Sequence, residues 1–196
     1  MNKPAELPRE YHREHHGEER DPSRFLSDVQ TLRKRARAQI MEGAVTHDYG
    51  IDPTQAVGVL NAALATELVC VMRYRQHYFV AKGINAEPVA TEFLTHSNEE
   101  LGHADQLAKR IVQLGGTPDM DPAKLTGRAH AEYVEAPSLT DMIRENLIAE
   151  RIAVESYREM IAYFGDKDPT TRSMLEGILA MEEEHADELA DLLEGD

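Results

Sequence analysis

Apolar positions recur along most of this chain at alternating steps of three and four, the period of a helix packed on one side. One series runs Val57, Leu60, Leu64, Glu67, Val71, Tyr74, Tyr78. A second runs Val89, Phe93, His96, Glu100, His103, Leu107. A third runs Ile143, Leu147, Glu150, Val154, Tyr157, Ile161, and a fourth Leu175, Ile178, Glu182, His185, Leu189, Leu192. Four long helices are therefore predicted, and their ends are signalled independently. Asp52-Pro53 and Asp168-Pro169 each place a capping Asp before a Pro at the first helical position. Ser138, with Asp141 three residues on, opens the third helix; the second starts near Asn85. Gly83, Gly115-Gly116 and Gly165 supply stops. Short links join helices one to two and three to four, and about 22 residues join two to three (GGTPDMDPAKLTGRAHAEYVEAP). The pattern predicts an all-α fold: two antiparallel hairpins joined by a long crossover into a four-helix bundle.

Ahead of the bundle, residues 1–20 are polar, rich in Glu, Arg and His, and without period, so they read as a mobile tail. His12, His15 and His16 lie in it, and solvation suits them better than metal binding. Asp21-Pro22 opens a further helix to about residue 42, which carries RKRAR at 33–37 on a solvated or interface face. The expected organisation is a tail over 1–20, a helical extension over 21–50 and the bundle over 51–196.

Each of the four apolar faces is interrupted at mid-height by a Glu, and two add a His one turn later. Burying one unpaired carboxylate is costly, and four near one another cost more. They must be protonated, paired with cations or bound to metal, and no Lys or Arg stands at matching depth on these series. Two divalent ions would balance four carboxylates, with two neutral imidazoles completing the ligand sets. Such mixed sets suit iron or manganese, with zinc able to compete. The spacing repeats: Glu67 to Glu100 is 33 residues and Glu150 to Glu182 is 32. Tyr74 follows Glu67 by seven residues, and Tyr157 follows Glu150 by seven. Each hairpin thus carries a lone Glu, a Tyr two turns on and a Glu-x-x-His, so two equivalent metals sharing two bridging carboxylates are expected. A single Glu-x-x-His in a Glu-rich helix would mean little. The conjunction of two of them with two lone Glu, matched spacing and apolar flanks carries the reading, against a degenerate bundle that keeps the pattern without metal.

Charge changes the picture in one respect. The chain of 196 residues has a net charge of −15, but residues 1–46 hold nine basic and eight acidic residues, which leaves −16 on the remainder. Such a body repels nucleic acid and attracts cations, though the same charge also serves solubility. One cysteine excludes an internal disulfide and fits a reducing cytoplasm. The charged N-terminus lacks an apolar signal core, and no run of about 18 apolar residues is evident, so no membrane span is expected.

Over about residues 50–194 the chain resembles the ferritin superfamily, in particular its bacterioferritin-like and Dps-like members. The stretches that carry the likeness are LNAALATELVCVMRYRQHY, EELGHAD, IAERIAVESYRE and EEEHADELADLL. A Glu from each of two helices plus a Glu-x-x-His from each of the others is that superfamily's di-iron pattern. The resemblance implies a ferritin-like bundle with Glu67 and Glu150 as terminal ligands. It makes Glu100 and Glu182 bridging, gives His103 and His185 one iron each, and sets Tyr74 beside the centre. It further implies two irons per subunit, Fe2+ oxidation by O2 or H2O2, and ferric mineral stored in a homo-oligomeric shell. Leu101 stands where haem-binding bacterioferritins carry Met, so no such haem is expected. The absence of a short fifth helix favours twelve subunits over twenty-four. The four-helix ligand set argues for a centre inside each bundle, whereas typical Dps proteins place theirs between subunits.

Other readings are a di-manganese catalase or rubrerythrin-like peroxidase, a Dps-like DNA-coating shell, and a purely structural bundle. Ala153 stands where rubrerythrins add a Glu, and the near-neutral first 46 residues argue against strong DNA binding. Among minor residues, His96 is expected as a hydrogen-bonded core histidine rather than an extra ligand. Cys70 is expected as a small buried hydrophobe. His130 and Tyr133 in the crossover are candidates for a subunit contact.

Overall fold

The structure, a computed structural model, describes residues 28–46 and 49–194. They fall into two units divided between Met41 and Glu42. In the first, helix α1 spans Val29–Ala38. Its cap is Asp28, whose carboxylate accepts from the amides of Gln30 and Thr31 at 2.9 and 3.2 Å. The expected Asp21-Pro22 start and the 1–20 tail lie outside the described residues. Arg35 and Arg37, in the last turn, suit the negative end of the helix dipole.

The second unit contains the four long helices α2 (Pro53–Val80), α3 (Ala86–Gln113), α5 (Leu139–Phe164) and α6 (Pro169–Glu194). A single-turn helix, α4 (Leu125–Arg128), lies in the crossover, and a 3₁₀ turn at Gly165–Lys167 links α5 to α6. α2 packs along α3 and α5 along α6, and the two hairpins then face each other. Residues 42–46, 49 and 50 belong to this unit: Val45 and Tyr49 pack on its core, and the Tyr49 hydroxyl donates to Asp168 at 2.6 Å.

The caps follow the sequence signals. Asp52 accepts from the Thr54 amide, Ser138 from the Asp141 amide, and Asp168 from the Thr171 amide. α3 closes with paired bonds from Gly115 N to Val112 O and from Gly116 N to Ile111 O. Gly115 takes a φ of +79° there, and a Cβ on Gly116 would stand 2.6 Å from both Val57 methyls.

The crossover is not a loose loop. α2 ties it down through four polar side chains: Asn61 to residues 117 and 119, Thr66 to His130, Arg73 to Glu132, and His77 to Val134. Arg73 is a cation of α2 that lies off the apolar series. It is fully buried, but its guanidinium turns to Asn146 and the Glu132 carbonyl and serves the crossover. Its position falls off the apolar series because it occupies the α2 face beneath that segment. α2 is long and apolar enough to cross a membrane by length and composition alone, because an average over eighteen residues tolerates isolated charges. Its apolar side chains, Leu60, Leu64 and Val69, are fully buried in this bundle.

A small apolar cluster of Ala65, Val69 and Leu125 lies under the crossover, and two larger ones fill the middle of the bundle. One gathers Leu60, Leu64, Leu107, Ile111, Phe164, Leu175 and Ile178. The other gathers Tyr74, Phe93, Met142, Ile143 and Leu189. Along every long helix the chain passes from one cluster to the other through a buried Glu: Glu67, Glu100, Glu150 or Glu182.

Candidate metal centre

All six predicted ligands meet in the layer between the two apolar clusters, and none is more than 5% exposed. Glu67, Glu100, His103 and Glu182 form one set of converging donor atoms; Glu100, Glu150, Glu182 and His185 form another. Glu100 and Glu182 belong to both. His103 Nδ1 stands 2.9 Å from Glu182, 3.2 Å from Glu100 and 3.6 Å from Glu67. His185 Nδ1 stands 3.7–3.9 Å from Glu100, Glu182 and Glu150.

The two tyrosines cross between hairpins. Tyr74 of α2 donates its hydroxyl to Glu150 of α5, and Tyr157 of α5 donates to Glu67 of α2. Each lone Glu is thus aimed by the opposite hairpin's Tyr, and the seven-residue repeat has a structural purpose. Burial, reinforced by the adjacent carboxylates, raises both phenols well above their ordinary range, so they remain donors.

The centre handles its own charge with protons. Burial pushes the Glu67 and Glu150 carboxyls well up, and Glu100 and Glu182 push further in the same direction. Burial would also raise Glu100, but the imidazoles of His103 and His185 beside it hold it well below the carboxylate range. Burial would lower both imidazoles, yet the neighbouring carboxylates of Glu100 and Glu182 prevail, pushing His103 up to about 12 and His185 up to about 11.

Hydrogen bonding leaves the cluster incomplete. Among the described residues nine buried side-chain atoms lack a hydrogen-bond partner. Five of them converge here: Glu100 Oε1, Glu150 Oε2, both oxygens of Glu182, and His185 Nδ1. Native proteins rarely orphan buried polar atoms, and these five, once free of protons, are ligand atoms of the types that bind iron, manganese or zinc. The donor set therefore fits a pair of divalent ions.

Sequence reading missed several contributors. Glu99 holds His185 Nε2 at 2.9 Å, which fixes the ring with Nδ1 facing the centre. Glu99 precedes a ligand by one residue, and a helical period places it outside; only the approach of α6 brings His185 to it. Of the minor residues, His96 is fully buried, bonded to Tyr74 and Glu188, and stacked on His185 with ring centroids 4.1 Å apart. With Glu150 and His185 it forms a further converging set, although the Tyr74 hydroxyl bonds both His96 Nδ1 and Glu150. Cys70 is buried beside Arg73, and desolvation keeps its thiol protonated. His130 and Tyr133 are exposed on the crossover.

Comparison with known proteins identifies the family. A family model described as a ferritin-like domain matches residues 57–196. A bacterioferritin of Rhodobacter capsulatus is 30% identical over 137 residues, covering 68% of this chain and 79% of that protein. A DNA protection during starvation protein of Pyrococcus furiosus is 32% identical over 152 residues, 74% of this chain and 80% of its own. Among solved structures, the dodecameric thioferritin of Bacteroides fragilis, a bacterioferritin-related protein, superposes with a TM-score of 0.72 at 30% identity. It covers 85% of this chain and 94% of that one. The R. capsulatus bacterioferritin structure, described with a metal-free dinuclear site and haem iron, gives 0.63 at 26% identity, covering 72% and 84%. With its bundle, crossover and shared-carboxylate centre, this chain belongs to the ferritin-like domain family.

Proposed function

We infer that the protein is a ferroxidase that takes Fe2+ as substrate and stores the ferric product in a hollow homo-oligomeric shell, twelve subunits being favoured. Glu67 and His103 would hold one ion, Glu150 and His185 the other, with Glu100 and Glu182 shared. The convergence of five orphaned donor atoms into two sets with a common pair of carboxylates carries this reading. Each ferrous ion gives up one electron. O2 takes both with two protons to become H2O2, or H2O2 takes both with two protons to become two waters. The chain's part is to hold two ions within reach of one oxidant, to aim Glu67 and Glu150 through the tyrosines, and to keep bulk water out with the apolar layers on either side. Leu101 offers no sulfur to a haem iron, so the proposal includes no haem of the bacterioferritin kind; it places the protein in the cytoplasm.

The peroxidase reading gains nothing from Ala153, which is buried and has no carboxylate to add. DNA coating, which the name of the P. furiosus relative suggests for that protein, gains nothing from a body carrying −16 beyond residue 46. Rapid mixing of anaerobic Fe2+-loaded protein with oxidant tests the proposal. The fast phase should saturate at about two irons per subunit, and Glu67→Ala should abolish it. Unchanged fast oxidation in that variant would overturn the assignment.

A further inference from the structure

A second cluster of metal-ligating side chains lies beside the centre, on the face shared by α3 and α6. His96 Nε2 stands 2.9 Å from Glu188 Oε2 and 3.3 Å from Glu92 Oε1. The imidazole is fully buried, while the two carboxylates are 45% and 36% exposed, so the ligand is anchored in the protein and the site opens to solvent. The other ring nitrogen is already committed. The Tyr74 hydroxyl donates to Glu150, so at 3.2 Å it can only receive from His96 Nδ1–H. Nε2 faces the two carboxylates, and a positive group placed among them would balance both. A single proton on Nε2 answers one oxygen at a time. A divalent cation answers all three donors together.

From this geometry we propose that Glu92, His96 and Glu188 form a third divalent-cation site, distinct from the inner pair. The separations fit. With metal–ligand bonds of about 2.1 Å, neighbouring ligand atoms lie about 3.0 Å apart in an octahedral site and about 3.4 Å in a tetrahedral one. The two nitrogen–oxygen distances, 2.9 and 3.3 Å, lie close to these values. One imidazole and two carboxylates, with water completing the shell, select first-row divalent ions such as Fe2+, Mn2+ and Zn2+ rather than alkali cations. The position suits an ion on its way inward. A cavity of about 170 Å3 opens here, lined by Glu92, Glu99, Glu184 and Glu188, and it reaches His185. Glu92 and Glu188 converge with no inner ligand, and His96 does so only with Glu150 and His185, so the site is tested separately from the ferroxidase reading.

Full-length protein crystals soaked in Zn2+, measured at the zinc absorption edge, provide the test. Wild type should show two peaks in the middle of the bundle and a third within bonding distance of His96 Nε2. In the Glu92→Gln/Glu188→Gln variant, whose changes are isosteric and solvent-reachable, the third peak should vanish and the inner two remain. A Mn2+ titration followed by electron paramagnetic resonance should show that variant binding one ion fewer per subunit. No density at His96 in wild type, or an equal Mn2+ count in both proteins, would overturn the third site. A peak at His96 with none between Glu100 and Glu182 would support the third site and instead sink the dinuclear reading.

Discussion

Filling the inner pair should expel about four protons per subunit at pH 7, roughly two per ion. The perturbation is the addition of Zn2+, which is redox-inert, to metal-free protein. The number follows from which groups carry protons before metal arrives. Glu67 and Glu150 are raised well above the usual carboxyl range by burial and by Glu100 and Glu182. His103 and His185 are held protonated, at about 12 and about 11, by the neighbouring carboxylates of Glu100 and Glu182. All four must lose a proton to become ligands, so each ion's apparent affinity should climb about 100-fold per pH unit near neutrality. Ions adsorbing to exposed carboxylates, already ionised at pH 7, would release none. Calorimetry in buffers of different ionisation enthalpy counts the protons, with a Glu100→Ala/Glu182→Ala variant subtracted to remove binding elsewhere. A count near two would leave protons on the imidazoles alone and refute the carboxyl half of the account; a count near zero would refute it entirely. The sign for metal-free stability follows from the same groups. All four are raised on folding, so their contribution is full below the ordinary values of 4.5 and 6.5 and fades as pH climbs toward the folded values. Metal-free Tm should therefore fall from pH 6 to pH 9 while the increment from saturating metal grows. A metal-free Tm that rises over that interval contradicts this accounting.

Two further predictions concern the scaffold. Asp168 caps α6 through Thr171, takes two bonds of 3.0 Å from the buried Arg110 and one from Tyr49. Asp168→Ala should cost about 3–5 kcal/mol in urea unfolding, since it strands a buried guanidinium. Although burial alone would raise the Asp168 carboxyl, bonds from Thr171, Tyr49 and Arg110 lower it, so the gap to wild type should narrow as pH drops below 3.8. Gly116→Ala should destabilise by about 1–3 kcal/mol, because its methyl would meet Val57. Adding Val57→Ala should recover part of that loss, and a neutral single variant would show that the Val57 contact yields freely.

What the amino-acid order determined by itself was periodic and local. Alternating steps of three and four put Glu67, Glu100, Glu150 and Glu182 on apolar faces, and a carboxylate among leucines is legible as an anomaly because burial makes it costly. The caps at Asp52, Ser138 and Asp168 were legible for the same reason: they depend on neighbours within three residues. The pairing of Tyr74 with Glu150 and of Tyr157 with Glu67 was not, although the repeat placed each Tyr seven residues after a Glu. A repeat states that two residues play the same part; only the packing of one hairpin against the other decides with whom. Arg73, Glu99 and Glu188 escaped detection for a related reason. Each lies off the apolar series, and its partner comes from a segment distant in the chain: Glu132, His185 and His96 respectively. Helix periodicity reports which side of a helix is shielded from water, whereas hydrogen bonds and ligand sets need ångström-scale contacts that exist only after the helices have docked.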